Sequence, residues 1–109
     1  MPIFQKLYDF YKLLYQYLKL FPQKDRYTLG QKIDNLSLTI FEMVITAGAI
    51  SKEKKLPYLE KSIATLNLLK ILIRLAKDVR ALDNKKYLEL QENLQEIGKM
   101  LGGWKKSLL

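Results

Sequence analysis

The chain has 109 residues, enough for one domain with a single buried core. It is 49% hydrophobic and 28% charged, with only 5 Gly and 3 Pro, which excludes a disordered chain and favours long continuous elements. Because it has neither cysteine nor histidine, it cannot form a disulfide, a thiolate or imidazole metal site, or a cysteine nucleophile.

The charge balance is strongly positive, with 19 Lys and Arg residues against 11 Asp and Glu and a formal net charge of +8. Such an excess favours a polyanionic partner, although a protein that is simply basic is the alternative. The N-terminus lacks a signal-peptide pattern, and the longest nearly apolar stretch, 36–50, is too short to cross a bilayer. We therefore expect a soluble, cytoplasmic protein that does not act at a membrane.

Two helices are predicted in the first half of the chain from apolar residues spaced three and four apart. The first covers about 2–20 and ends before Pro22. The second covers about 25–49, and Asp25 can cap its first turn. The predicted core residues are Ile3, Leu7, Phe10, Leu14, Tyr17 and Phe21 on the first helix, and Leu29, Ile33, Leu36, Ile40, Val44 and Ala47 on the second.

Two further helices follow a Lys-rich connection. The third covers about 54–82, and its start, at Ser51 or around Pro57, is left open. The fourth covers about 84–101, with Asp83 or Asn84 as its cap, and Gly102–Gly103 is predicted to end it before a short tail. The stripe predicted to face the core on the fourth helix is Tyr87, Leu90, Leu94, Ile97 and Leu101.

The order of these elements indicates the fold class. No segment alternates apolar and polar residues over the length of a strand, and short connections between helices of similar length make antiparallel neighbours. We therefore predict an all-α protein, one domain over residues 1–109, folded as an antiparallel up-down-up-down four-helix bundle.

The third predicted helix is apolar around much more of its circumference than one bundle core requires. Self-association through the first and third helices would bury the surplus. The alternative is a central helix enclosed by bulky neighbours within one chain.

Basic residues mark two candidate sites for a nucleic acid. Lys70, Arg74, Lys77 and Arg80 are spaced to lie on one side of the third helix, where they suit a phosphate backbone. The alternative is a solvated face in which Asp78 pairs with Arg74. Lys12 and Lys19 lie on one face of the first helix among tyrosines that can stack on bases, although tyrosines at this spacing also serve as core and interface residues.

No pattern in the sequence indicates catalysis. Glu89, Glu92 and Glu96 share one side of the fourth helix among polar neighbours, which is typical of a solvated surface. There is no Gly-rich phosphate loop and no nucleophile elbow. We predict no enzyme activity, no catalytic, cofactor or metal site, and no small-molecule substrate.

Three stretches carry a family resemblance: 21–33 (FPQKDRYTLGQKI), 72–78 (LIRLAKD) and 96–104 (EIGKMLGGW). In order and spacing the chain resembles a bacterial four-helix-bundle family. That family includes the accessory variability determinant of diversity-generating retroelements and the proteins encoded in intervening sequences of large ribosomal RNA genes.

The resemblance implies a homopentameric, barrel-like ring with a basic surface, which in the retroelement members binds a reverse transcriptase and RNA. The motif positions present here are Arg26, Gly30, Arg74, Gly98 and Trp104. Four of them are expected to be structural, and Arg74 is either structural or a binding residue. The predicted function is a non-enzymatic oligomer that binds RNA or DNA and a reverse transcriptase. The alternative is an adaptor of the intervening-sequence type, with a protein partner and no direct role in nucleic-acid binding.

Overall fold

The computed structural model describes residues 1–109 and is built from helices alone. The helices are α1 (Pro2–Leu18), α2 (Gln23–Arg26), α3 (Leu29–Ala49), α4 (Lys52–Asp78) and α5 (Asn84–Ser107). The predicted all-α class with four long helices is confirmed, and α2 is a single additional turn. No helix has the length and apolar character needed to span a membrane.

The four long helices form a square in cross-section. Helix α1 packs against α3 and α5, and α4 packs against the same two, so α1 and α4 lie diagonally opposite each other. One continuous core of 20 buried hydrophobic residues fills the space between the helices. Burying one of its large side chains contributes roughly 1.5–3 kcal/mol.

The predicted core stripes are largely confirmed. Tyr17, Leu29, Leu36 and Tyr87 are only half-buried, while the other core positions predicted on the first, second and fourth helices are buried. Two buried hydroxyls sit between the apolar residues, and each donates to a carbonyl one turn earlier: Ser37 to Ile33 and Ser62 to Tyr58. Because these hydroxyls are satisfied locally, they do not interrupt the core.

The junction after α1 differs from the predicted helix over 25–49. The chain forms the short helix α2, leaves helical geometry at Tyr27 and Thr28, and begins α3 at Leu29. The Thr28 hydroxyl donates to the Lys24 carbonyl, 3.0 Å away, so a C-terminal carbonyl of α2 is satisfied. Asp25 therefore belongs to α2 and does not cap α3.

Helix α4 begins earlier and ends earlier than the predicted 54–82. Ser51 precedes its first residue, and Pro57 lies inside the helix. The helix ends at Asp78 because Arg80 takes a left-handed conformation, with φ 65°, and turns the chain back. The Ala81 N–H then reaches the Ala76 carbonyl, 2.9 Å away, as in a Schellman motif. The reversal buries Ala81 and Leu82 in the core, which a continuing helix would not do.

Helix α5 does not end at the two glycines. It continues through Gly102 and Gly103 to Ser107, so the predicted C-terminal tail is wrong. Trp104, half-buried on the extended helix, packs against the core and lines a small hollow with Met1 and Ile3 at the end of the bundle. That contact favours helical geometry beyond the glycines, which tolerate it at a modest entropic cost.

Candidate nucleic-acid interface

The surface between α4 and α5 carries cations from both helices, and we call it the basic seam. It consists of Asn67, Lys70, Arg74 and Lys77 from α4 and Gln91, Gln95 and Lys99 from α5. A groove of about 340 Å³ lies within it, with Lys70 and Lys99 among its lining residues. The seam therefore places ammonium and guanidinium groups beside side-chain amides.

Two contacts between α4 and α5 lie within the seam. The Lys77 Nζ lies 4.5 Å from the centre of the Tyr87 ring, a cation–π contact. The Gln91 side-chain amide donates to the backbone carbonyl of Lys70, 3.0 Å away, and so links α5 to α4 at this point of the seam. Arg74 lies between these lysines on the same side of the helix and is exposed.

Two carboxylates of α5 are directed away from the seam. Glu89 accepts a hydrogen bond of 2.7 Å from the Tyr17 hydroxyl, and Glu96 pairs with Lys6 at 2.7 Å, so both serve the contact with α1. No carboxylate lies within 4.0 Å of Lys70, Arg74 or Lys99. These cations are consequently free of ion pairs.

The structure confirms only part of the predicted row of basic residues on the third helix. Arg80 lies beyond the end of α4 in left-handed geometry, so it does not continue the helical row as predicted. Asp78 pairs with Lys77, at 3.6 Å, and not with Arg74 as the solvated-face alternative required. The basic row on α4 therefore consists of Lys70, Arg74 and Lys77, of which Lys70 and Lys77 are half-buried.

Lys12 and Lys19 lie on a different part of the molecule. Each stacks on a tyrosine of α1, with Nζ 5.6 Å from the Tyr8 ring centre and 4.5 Å from the Tyr15 ring centre respectively. Because α1 is diagonal to α4, one chain does not bring these lysines and the basic seam into a single surface.

The motif glycines and Arg26 occupy packed positions. One Nη2 of Arg26 donates to the carbonyls of Lys19 and Phe21, which follow the end of α1. A Cβ on Gly30 would lie 3.2 Å from the Asp25 carbonyl oxygen, so this contact between α2 and α3 is tight. A Cβ on Gly98 would meet Leu66 at 3.4 Å, which is ordinary contact.

A family model described as bAvd-like, for the accessory variability determinant, matches residues 1–108. The chain belongs to this family. The resemblance read from the sequence is therefore confirmed over nearly the whole chain. No curated protein matches the chain at a significant level.

The bAvd-like chain also has an exposed apolar surface on α4, directed away from the core. Leu68, Ile71, Leu75 and the adjoining Val79 are 41%, 64%, 44% and 50% exposed, and we call them the α4 apolar face. A single chain leaves this apolar surface of α4 exposed. The alternative prediction, a central helix enclosed by bulky neighbours within one chain, is therefore wrong. Leu38 and Ile45, 39% and 49% exposed on α3, form a smaller exposed set that we call the α3 apolar set.

Sequence reasoning missed the contribution of α5 to the basic seam. Lys99, Gln91 and Gln95 alternate with carboxylates along this helix, a pattern that is typical of a solvated surface. A signal was available: Tyr87, Gln91, Gln95 and Gly98 are spaced along α5 as a second face that contains no carboxylate.

Proposed function

We propose that this bAvd-like protein is the accessory protein of a diversity-generating retroelement, a non-enzymatic homo-oligomer that binds RNA and a reverse transcriptase. The observation that carries the proposal is the basic seam, where three cations without ion pairs, Lys70, Arg74 and Lys99, lie beside side-chain amides from two helices. Family membership supports the retroelement context.

The chemistry of the seam suits a nucleic-acid backbone. Each phosphate contact made by a lysine or arginine releases condensed counterions, which provides most of the sequence-independent affinity. Arg74 has a planar guanidinium that can hold a phosphate with two parallel hydrogen bonds. The exposed Gln95 amide can bond a sugar or phosphate oxygen next to the cations, since side-chain amides are among the groups that contact nucleic-acid backbones.

Assembly into a closed ring, a pentamer in our proposal, would multiply these contacts. The α4 apolar face and the α3 apolar set are different surfaces of the chain, so a contact between them is heterologous. Heterologous contacts that close form cyclic rings. A ring repeats the basic seam once per chain, and multivalency raises weak affinities without new chemistry.

An adaptor of the intervening-sequence type is the second candidate. The α4 apolar face favours it as much as the first, because exposed apolar surface of this kind serves protein contacts. In that case the protein would bind a protein partner and not a nucleic acid, and the binding experiment below separates the two.

The test is the salt dependence of RNA binding by the variant Lys70→Gln/Arg74→Gln/Lys77→Gln. We expect weaker binding than wild type at physiological salt. The slope of log K against log salt should be shallower by about 2 per chain engaged, since each contact with single-stranded RNA contributes about 0.7. Filter binding over a range of salt concentrations measures both quantities.

The matched control is Lys24→Gln/Lys32→Gln/Lys52→Gln, which removes the same charge from exposed lysines without ion pairs. It should retain nearly the wild-type slope. If both triple variants lose affinity equally, net charge and not the seam drives binding. If the wild-type protein does not bind RNA at low salt, the adaptor function replaces this proposal.

A further inference from the structure

A second groove lies at the opposite side of the bundle from the basic seam, where α1 ends and α3 begins. It measures about 370 Å³, within the range of about 300–1,000 Å³ that small ligands occupy. Its lining includes Tyr15, Lys19, Arg26, Tyr27, Gln31 and Asp34. Two helices and the α2 turn contribute to it, so its shape is fixed by the junction described above.

Two tyrosine rings are exposed to solvent at this groove. Tyr15 is 49% exposed and Tyr27 is 66% exposed, and neither hydroxyl makes a hydrogen bond within the protein. The half-buried tyrosines of α1 differ, because Tyr11 and Tyr17 donate to carboxylates of neighbouring helices. Exposed rings of this kind provide faces on which unpaired bases stack.

Cations flank these rings in a prepared geometry. The Arg26 guanidinium uses one nitrogen to bond the carbonyls of Lys19 and Phe21, which leaves its other N–H donors free while fixing its plane. The Lys19 ammonium lies over the Tyr15 ring and has no carboxylate partner. If the base stacks on the Tyr27 ring, Lys19 can stay on the Tyr15 ring, and the phosphate of that nucleotide would meet two cations already held in place.

Polar groups on α3 complete the groove. The Gln31 side chain is exposed and makes no hydrogen bond within the protein. One oxygen of Asp34 accepts from the Tyr11 hydroxyl at 2.6 Å, which leaves the other oxygen available. An amide and a carboxylate together can donate to and accept from the edge of a base.

We infer that this groove binds one unpaired nucleotide of a single-stranded nucleic acid, with its base on the Tyr27 ring and its phosphate at Lys19 and Arg26. The inference deepens the proposed function and rests on it. The basic seam binds the RNA backbone whatever the RNA sequence, while the groove binds one base that is not stacked on its neighbours in the RNA.

The experiment uses the full-length protein and a short oligouridine RNA with one 2-aminopurine, whose fluorescence falls when the base stacks. The variants are Tyr27→Ala and Tyr15→Ala, and the matched control is Tyr8→Ala, an exposed tyrosine of α1 that also lies under a lysine. All three side chains are exposed, so the circular dichroism spectra should remain those of the wild type.

We expect quenching on binding in the wild type and in Tyr8→Ala, and little quenching in Tyr27→Ala. Tyr15→Ala, which removes the ring that holds Lys19, should weaken binding. Affinity for the same RNA should fall about 5- to 150-fold in Tyr27→Ala, as for loss of one stacked base. The seam variant Lys70→Gln/Arg74→Gln/Lys77→Gln should bind less tightly, yet quench to the wild-type level once saturated.

Four outcomes would overturn the inference. If wild type binds this RNA without quenching, or if Tyr27→Ala behaves as Tyr8→Ala does, the groove takes no base, while the proposed function stands. If Tyr27→Ala changes the mass of the oligomer and leaves quenching intact, the groove is a protein contact. If wild type does not bind RNA at all, the proposed function and the groove inference both fail.

Discussion

The hydroxyls of Tyr11 and Tyr17 join α1 to its two neighbours. Tyr11 donates to Asp34 on α3 at 2.6 Å, and Tyr17 donates to Glu89 on α5 at 2.7 Å. Burial and the bond to Asp34 raise the pKa of Tyr11 to about 12, and the bond to Glu89, with burial, raises the pKa of Tyr17 to about 12. The neutral hydroxyl is therefore the form that stabilises the fold.

These shifts predict how stability changes at alkaline pH. The contribution of each tyrosine is fully present below its unfolded pKa of about 10 and is lost as pH rises through about 12, because the unfolded chain releases the proton first. We expect the free energy of unfolding, measured by chemical denaturation, to fall less between pH 10 and pH 12 in Tyr11→Phe/Tyr17→Phe than in wild type.

Tyr8→Phe serves as the control, because the Tyr8 hydroxyl makes no hydrogen bond within the protein. Lysine deprotonation over the same interval affects every variant alike, so the difference between variants isolates the two tyrosines. Parallel curves for wild type and the double variant would show that these hydrogen bonds do not couple the helices.

Among the elements, the C-terminal ends of α4 and α5 differ from those that the sequence pattern predicts, because tertiary contacts set them. Arg80 adopts a conformation that favours glycine because the reversal buries Ala81 and Leu82. Gly102 and Gly103 are helical although glycine pairs commonly follow a helix end. In both places a local preference of modest size is outweighed by burial of apolar side chains.

The course of α5 yields a stability prediction. A Cβ added at Gly102 or Gly103 meets no atom within 4 Å, and both residues are exposed. Each of Gly102→Ala and Gly103→Ala should therefore raise the free energy of unfolding by about 0.5–1 kcal/mol, since alanine loses less backbone entropy in a helix. Thermal denaturation followed by circular dichroism measures the change.

Gly30→Ala is the opposing control. Its Cβ would lie 3.2 Å from the Asp25 carbonyl oxygen and 3.3 Å from the Phe21 ring, so this substitution should destabilise the protein. A neutral or harmful effect of the substitutions at 102 and 103 would contradict a helix that runs to Ser107.

For the whole molecule, the arrangement of apolar surface predicts how copies assemble. In the proposed ring, the α4 apolar face of one chain contacts the α3 apolar set of the next, so a charge placed in either surface should disperse the oligomer. We expect Ile71→Asp/Leu75→Asp and Ile45→Asp each to run as a monomer in sedimentation experiments with wild-type helix content, because all three side chains are at least 44% exposed.

Mixing the two variants distinguishes a ring from other assemblies. Each variant keeps one intact face, so an equimolar mixture should form dimers that neither variant forms alone. If the α4 apolar faces of two chains paired with each other, Ile45→Asp would remain fully assembled and the mixture would contain no new species.

The sequence alone determined the helices, most of the core and the family. Apolar spacing such as Ile3, Leu7, Phe10 and Leu14 depends only on the period of the helix, and the motif around Gly30 survives in the linear order of the chain. The spacing of the basic residues likewise predicted that Lys70, Arg74 and Lys77 share one side of a helix, since residues three or four apart do so whatever packs beside them.

The tertiary structure decided which polar residues meet across helices. Lys99 joins Lys70, while Glu89 and Glu96 turn to α1, because the side of α5 that faces α4 depends on how all four helices pack. The end of α4 at Arg80 and the groove at Tyr27 also follow from contacts between residues distant in sequence. Such contacts are long-range, and local spacing carries no information about them.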